Sequence, residues 1–187
     1  TGTPLVLVHG APDRSTSFRP LLAELGDRRV VVYDRRGYGR SLGAEPPTAM
    51  VDHAHDLLGV IEQAGAPAVV VAHSFGSNPA MLAATLRPEA FGALGVWEPP
   101  LVWIEQWPQF TKDYNARVAG ADDPAATVEH FYRRVLGDAV WDGQNDEGRA
   151  RRWAEGVAFQ RDMASELTAP FAFEDVRVPV LVGYGTE

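Results

Sequence analysis

The sequence contains no cysteine, and this absence narrows the chemistry that is open to the protein. Disulfide bonds, a thiol nucleophile and thiolate metal sites are all excluded. Basic residues are also few, since 17 lysines and arginines stand against 25 aspartates and glutamates, for a net charge of −8. No run of basic residues interrupts this balance, which argues against a nucleic-acid partner.

Long hydrophobic runs are missing as well. No apolar stretch approaches the roughly 20 residues that a membrane-spanning helix needs, so we expect no membrane partner. No signal-peptide pattern is visible, and we expect a cytoplasmic location. The acidic residues do not converge as metal ligands do, and we expect no metal. The 187 residues, 45% of them apolar, suffice for one domain with a substantial core.

Short apolar runs alternate with segments of helical periodicity along the chain. Five such runs predict buried strands; they are residues 4–8, 30–33, 68–72, 93–97 and 179–183. The clearest helical segment is 50–64, where Leu57, Leu58 and Ile61 fall near one face and Gly65 supplies the stop. This alternation predicts an α/β fold, a mostly parallel sheet with helices on both faces.

About 80 residues without a strand pattern separate the fourth and fifth strands, which is too long for an ordinary connection. This stretch is rich in aromatic residues and has helical periodicity, for example at Val128, Phe131 and Tyr132. We therefore predict three parts. Residues 1–100 form the N-terminal part of an α/β core, residues 101–176 form a helical lid, and residues 177–187 return to the core.

Ser74 stands where the third strand must turn sharply into a helix. Its neighbours two positions away, Ala72 and Gly76, are both small. Such a turn holds a serine in a strained backbone conformation and needs small flanking residues, so that the chains can pass closely. The pentapeptide alone is a weak signal, but the strand before it and the helix after it make Ser74 a candidate nucleophile.

A serine nucleophile also needs hydrogen-bond donors for the negative oxygen that forms on the substrate. The backbone N–H of Phe75, the residue after the serine, is one candidate. The loop after the first strand, His9-Gly10-Ala11, supplies the other. Ala11 can donate from its backbone, whereas Pro12 has no N–H. Ala11 and Phe75 are therefore the predicted oxyanion hole.

Four ordered motifs together resemble the α/β-hydrolase fold, and more narrowly its lidded, cofactor-free serine hydrolases. They are LVLVHGAP, VVVYDRRGYGRS, VVVAHSFGS and ALGVWEPP. The resemblance covers essentially the whole chain and implies that the predicted strands are the third to seventh of eight, with the lid inserted after the sixth. It also implies that Asp34 lies in a structural loop, where it ties down neighbouring backbone.

The family's triad runs in the order serine, then aspartate or glutamate, then histidine. The acid usually follows the seventh strand, where Glu187 stands, and some members instead use the position after the sixth strand, here Glu98. The histidine normally follows an eighth strand, which this sequence does not contain. We therefore expect a fragment of a longer hydrolase, cut at both ends, with its histidine beyond residue 187.

His130 is the alternative base, because it alone of the five histidines follows Ser74. The order Ser74, Glu98, His130 satisfies the rule. However, His130 falls in an amphipathic lid helix, where a histidine is more often a surface or packing residue. We expect His53 and His55, in the helix before the nucleophile strand, to lie on its solvated side.

Two tryptophans, Trp97 and Trp103, flank the predicted site entrance and are the candidates for substrate binding. The leading prediction is a hydrolase of a small ester, thioester or related acyl or carbon–carbon substrate. The alternative is a non-catalytic small-molecule-binding protein on the same fold. A Rossmann-type dehydrogenase fits the alternation, but no G-x-G-x-x-G follows the first strand.

Overall fold

The computed structural model describes residues 2–185, and five strands of this chain form one sheet. The strands are β1 (Leu5–Val8), β2 (Val30–Val32), β3 (Ala68–His73), β4 (Phe91–Trp97) and β5 (Val180–Gly183). All neighbouring strands pair in parallel, in the order β2-β1-β3-β4-β5. The predicted α/β fold is confirmed, and each predicted strand has its counterpart.

Eight α-helices accompany the sheet in residues 2–185. They are α1 (Arg19–Glu24), α2 (Met50–Ala64), α3 (Ser77–Leu86), α4 (Gln109–Ala119), α5 (Pro124–Leu136), α6 (Asp138–Asp142), α7 (Asp146–Trp153) and α8 (Gly156–Ser165). Helices α4 to α8 all lie between β4 and β5. The long segment without strands, residues 101–176, is therefore helical and is called the helical segment. Over the same residues, no helix combines the length and the apolar character that crossing a bilayer requires.

Helix α2 shows how the local sequence sets its bounds. At its start, the Asp52 carboxylate accepts hydrogen bonds from the backbone N–H groups of Thr48 and Ala49. At its end, Gly65 takes a φ of 97°, which few other residues adopt.

The predicted exposure of the two histidines of α2 was wrong for one of them. His55 is exposed, but His53 is 1% exposed. Positions 53, 57 and 61 recur every four residues and therefore share one face of the helix. His53 lies on the same buried face as Leu57 and Ile61.

The order of the strands determines where a site can form. The chain leaves β1 for β2 on one side and then crosses to β3 on the other side. The connections after β1 and β3 therefore run in opposite directions, which opens a crevice outside the carboxyl ends of these two strands. The loop that begins at His9 and the turn at Ser74 border this crevice.

The strand β5 forms one edge of the sheet in the described residues and pairs with β4 alone. Its side chains are apolar and largely exposed; Leu181 is 76% exposed and Val182 is 58% exposed. An apolar edge strand of this kind is a template for pairing with another strand.

Candidate active site

Ser74 occupies the turn between β3 and α3 with a φ of 52°, a left-handed conformation that is uncommon for a residue with a side chain. The loop after β1 packs closely against this turn. A Cβ placed on Gly76 would lie 2.4 Å from the carbonyl oxygen of His9. A Cβ on Gly10 would lie 3.0 Å from the Cβ of Ser74. Glycine at these two positions therefore allows the loop and the turn to meet.

A cavity of about 200 Å³ opens beside Ser74. The core contributes Ala11, Ser74 and Phe75 to its lining, which are the predicted nucleophile and the two predicted oxyanion-hole residues. The helical segment contributes Tyr114, Asn115, Phe131, Arg134, Met163 and Glu166, among others. The structure thus brings three of the predicted site residues together, and it covers them with side chains from α4, α5 and the region of α8.

Glu98 directly follows β4. This strand pairs with β3, which leads into Ser74, and Trp97 and His73 are register partners, so Glu98 and Ser74 follow neighbouring strand ends. Its side chain is exposed and does not line the cavity. One carboxylate oxygen, Oε1, accepts a hydrogen bond from the backbone N–H of Gly185 at 3.0 Å. Glu98 also has a left-handed backbone, with a φ of 52°. The other candidate acid, Glu187, lies outside the described residues.

The two tryptophans proposed for substrate binding lie away from the cavity lining. Trp97 is 48% exposed and packs against Gly183 of β5. Trp103 packs against Phe171 and Phe173, with ring centroids 5.6 Å and 6.2 Å away. A role of either residue in binding substrate stays a prediction.

None of the five histidines, all of which the structure describes, lines the cavity. His130 is exposed and stacks on the Tyr114 ring with centroids 6.0 Å apart. His9 is fully buried, and its Nε2 accepts a hydrogen bond from the backbone N–H of Arg35 at 2.9 Å. Burial, aided by the charge of Arg35, lowers the pKa of His9 to about 3, so His9 is a neutral acceptor.

Asp34 ties down neighbouring backbone, as the resemblance implied. Its carboxylate accepts hydrogen bonds from the backbone N–H groups of Ser15 at 2.7 Å and Arg40 at 2.9 Å. Burial alone would raise the pKa of Asp34, but these bonds outweigh it and hold the pKa well below its usual range. The carboxylate therefore stays ionised and fixes the loop after β2.

Arg35 supports the loop after β1 and was missed by sequence reasoning. Its guanidinium donates to the carbonyl oxygens of His9 at 3.1 Å and Gly10 at 2.8 Å. It is 1% exposed, although it belongs to a loop whose pattern DRRG gives no sign that one arginine is buried. Arg35 thus holds the backbone that carries Ala11.

A buried carboxylate from α8 neutralises Arg35. Asp162 accepts hydrogen bonds from Arg35 Nη2 at 2.9 Å, from the Tyr38 hydroxyl at 2.7 Å and from His53 Nε2 at 2.8 Å. Burial alone would raise the pKa of Asp162, but Arg35 and His53 hold it below its usual value. The helical segment is therefore joined to the core by a buried ion pair directly beside the candidate site.

Glu166 is a second buried carboxyl that the sequence did not single out. It is 2% exposed and accepts hydrogen bonds from the amide groups of Asn78 at 3.0 Å and Asn115 at 2.8 Å. Burial raises its pKa to about 8, and the nearby charge of Asp162 acts in the same direction. Glu166 is thus a titratable group in the lining of the same cavity as Ser74.

The parallel sheet and the helices between β4 and β5 are those that the resemblance to the α/β-hydrolase fold implied. Residues 5–187 match the model of the "Alpha/beta hydrolase family", and the chain belongs to that family.

Two curated relatives illustrate the range of the family. The "Putative carbamate hydrolase RutD" of Caulobacter segnis is 36% identical over 185 residues, which are 92% of this chain and 67% of that protein. An "Epoxide hydrolase" of Caballeronia sordidicola is 28% identical over 173 residues, 89% of this chain. The chain spans about half of that relative's length, 51%.

A solved structure supports the fold independently. The epoxide hydrolase of Bacillus megaterium, crystallised with an inhibitor, superposes with a TM-score of 0.73. The match covers 100% of this chain and 77% of that one, at 21% sequence identity. At this identity the likeness establishes the shared fold alone.

Proposed function

We propose that the protein is a serine hydrolase that acts on a small carbonyl compound, such as an ester or thioester, with Ser74 as the nucleophile. One observation carries the proposal. Ser74 has a left-handed backbone in a turn at the mouth of a crevice, and it shares a cavity with Ala11 and Phe75. A strained, cavity-lining serine beside two backbone donors is the arrangement that acyl transfer requires.

In the proposed reaction, Ser74 Oγ attacks the carbonyl carbon of the substrate and loses its proton to a base. The carbonyl oxygen becomes negative, and the backbone N–H groups of Ala11 and Phe75 stabilise it. The carbon–oxygen or carbon–sulfur bond to the leaving group then breaks, and the base returns its proton to that group. Water hydrolyses the resulting ester of Ser74 by the same steps, which frees the acid and the serine.

The acid and the base are also proposals. Glu98 is the first choice for the acid. It follows β4, Ser74 follows the neighbouring parallel strand β3, and both residues therefore lie at the carboxyl ends of the strands. Glu187 stays the alternative. Since no histidine of this chain lines the cavity, we propose that a histidine outside these 187 residues activates Ser74.

The chemistry of a serine nucleophile favours a carbonyl substrate over an epoxide. Attack on a carbonyl gives an ester, which water can cleave, whereas attack on an epoxide carbon would give an ether, which water cannot. The name of the Caulobacter relative, a carbamate hydrolase, supports a carbonyl substrate. The names of other relatives refer to epoxides, but Ser74 does not suit that reaction.

We further propose that residues 101–176 act as a lid over a small-molecule substrate. The cavity of about 200 Å³ suits a ligand of roughly ten to fifteen non-hydrogen atoms. Phe131, Val135 and Met163 give it an apolar wall, while Asn115 and Glu166 supply polar groups. A substrate of mixed apolar and polar character fits this lining.

The test is the hydrolysis of short-chain nitrophenyl esters by the full-length protein and its Ser74→Ala variant. We expect kcat/KM to fall by at least about 10⁴-fold in the variant. Ser77→Ala is the matched control, since Ser77 lies three residues away and is buried, with its hydroxyl bonded to the carbonyl of Ala72. It should keep most of the activity.

Retained activity in Ser74→Ala would overturn the proposal. A wild-type protein that binds these esters without turnover would instead favour the non-catalytic alternative.

A further inference from the structure

The interior of the cavity contains a carboxyl group that the proposed reaction does not use. Glu166 directly follows α8 and is held from two sides, by Asn78 of α3 at its Oε1 and by Asn115 of α4 at its Oε2. Neither oxygen forms an ion pair with a cation of residues 2–185. A buried carboxyl without a cation is costly to ionise, and proteins tend to keep such a group protonated.

The hydrogen bonds that Glu166 makes within residues 2–185 both come from side-chain amide donors. The Asn78 amide nitrogen donates both to Glu166 and to the carbonyl oxygen of Pro100, at 3.0 Å each, which fixes the orientation of this amide. Asn115 also presents its nitrogen to Glu166. Both amide nitrogens therefore donate to Glu166, and the O–H of a neutral Glu166 needs an acceptor that these two contacts do not supply.

A second polar group of the cavity lining also lacks a partner. Tyr114 is 6% exposed, and its hydroxyl is buried without a hydrogen bond in the described structure. Tyr114 and Asn115 are consecutive in α4, and both line the cavity together with Glu166. A polar end of the cavity with unused hydrogen-bonding capacity is suited to a ligand that supplies the missing partners.

We propose that Glu166 is a specificity-determining residue of the Ser74 cavity, donating a hydrogen bond from its carboxyl group to an uncharged acceptor of the substrate. The substrate class is then a small compound that carries a neutral carbonyl or ether oxygen in addition to the bond that is cleaved. A substrate with a carboxylate at this place would bring a buried negative charge beside Glu166, which itself becomes negative when it ionises. The inference rests on the proposed function only in placing the substrate beside Ser74.

The charged and titratable groups that face Glu166 allow a test by pH. They are Asp162 of α8, Arg35 of the loop after β2, Tyr114 of α4 and Arg134 of α5. Asp162 has a lowered pKa, while those of Arg35 and Tyr114 are raised, so these three keep their charge states between pH 6.5 and 9.5. Glu166, with a pKa of about 8, loses its proton in this interval and with it the donor.

The experiment measures binding in the Ser74→Ala protein, so that turnover does not enter. The probes are three stable ligands of similar size: 4-phenyl-2-butanone, 3-phenylpropanoate and isopentylbenzene. We expect the affinity for the ketone to fall about tenfold from pH 6.5 to 9.5, the size of one lost hydrogen bond. The affinity for the hydrocarbon should stay constant, and the carboxylate should bind more weakly than the ketone at pH 6.5.

Two variants at position 166 assign the effect. Glu166→Gln keeps a donor that does not titrate, so its affinity for the ketone should not change with pH. Glu166→Leu should show the lower affinity at both pH values. Glu147→Gln is the control, because Glu147 is exposed and pairs with Arg151, and neither residue lines the cavity; it should retain the pH effect.

Ketone binding that does not depend on pH in the Glu166 protein would overturn the proposal. So would tighter binding of the carboxylate than of the ketone at pH 6.5, which would give Arg134 the deciding role. Neither result depends on whether Ser74 is the nucleophile, which is tested separately by the esterase activity.

Discussion

At the scale of single residues, the site depends on close backbone approach. Ser74 can occupy a left-handed turn next to the loop after β1 only because Gly10 and Gly76 have no side chains there. The left-handed φ of Ser74 itself costs on the order of 1–3 kcal/mol, which the surrounding packing must offset. The position of Ser74 is therefore sensitive to one added methyl group.

Replacement of Gly76 by alanine should destabilise the protein. The new Cβ would lie 2.4 Å from the carbonyl oxygen of His9 and 3.0 Å from that of Val8, and backbone atoms cannot rotate away. We expect a loss of about 1–3 kcal/mol in the free energy of unfolding, measured by urea denaturation. The change should also reduce the proposed esterase activity, because it separates Ser74 from Ala11.

Gly59→Ala is the control for this substitution. Gly59 lies within α2 and has no atom within 4 Å of a new Cβ. Alanine there should stabilise the protein slightly, by up to about 1 kcal/mol. Equal effects at the two glycines would show that close approach at Gly76 is not the cause.

At the scale of elements, helix α8 joins the helical segment to the core. Asp162, near its middle, accepts hydrogen bonds from Arg35 and Tyr38 of the loop after β2 and from His53 of α2. Glu155, just before its first turn, pairs with Arg14 at 2.6 Å. Two buried carboxylates thus fix α8 over the crevice, and any opening of a lid would have to occur elsewhere in residues 101–176.

Asp162→Asn should destabilise the protein strongly, because it leaves the buried guanidinium of Arg35 without a counter-charge. We expect a loss of about 3–5 kcal/mol in the free energy of unfolding by urea denaturation. Hydrogen exchange should also speed up in α8. Glu147→Gln, which removes a carboxylate from an exposed pair with Arg151 on the same helical segment, should change little.

The pH dependence of this ion pair has a definite sign. Because the pKa of Asp162 is lower in the folded protein, its contribution to stability is present above the unfolded value of about 4 and is lost as the pH falls through the folded value. The difference in the free energy of unfolding between the wild-type protein and Asp162→Asn should therefore become smaller in acid. A difference that grows in acid would contradict a stabilising ion pair.

At the scale of the whole molecule, the sequence predicted local features well and distant contacts poorly. The five strands were predictable because buried parallel strands must be continuously apolar. The turn at Ser74 was predictable because it depends on residues that are adjacent in the sequence. The network of Arg35 and Asp162 joins residues 127 positions apart, and no local pattern announces such a pair. Glu166 was missed for the same reason, since its partners come from α3 and α4.

The parts of the site converge from across the chain. The loop after β1 contributes Ala11, the turn after β3 contributes Ser74 and Phe75, and the helical segment covers them. We propose that this convergence makes Ser74 a nucleophile.

The most direct measurement is to treat the full-length protein with a fluorophosphonate, which forms a stable bond with activated serines, and to locate the adduct by peptide mass spectrometry. We expect a single adduct on Ser74, absent after Ser74→Ala and present in Ser77→Ala. An unmodified Ser74 in a protein that hydrolyses esters, or an adduct on a different serine, would contradict it.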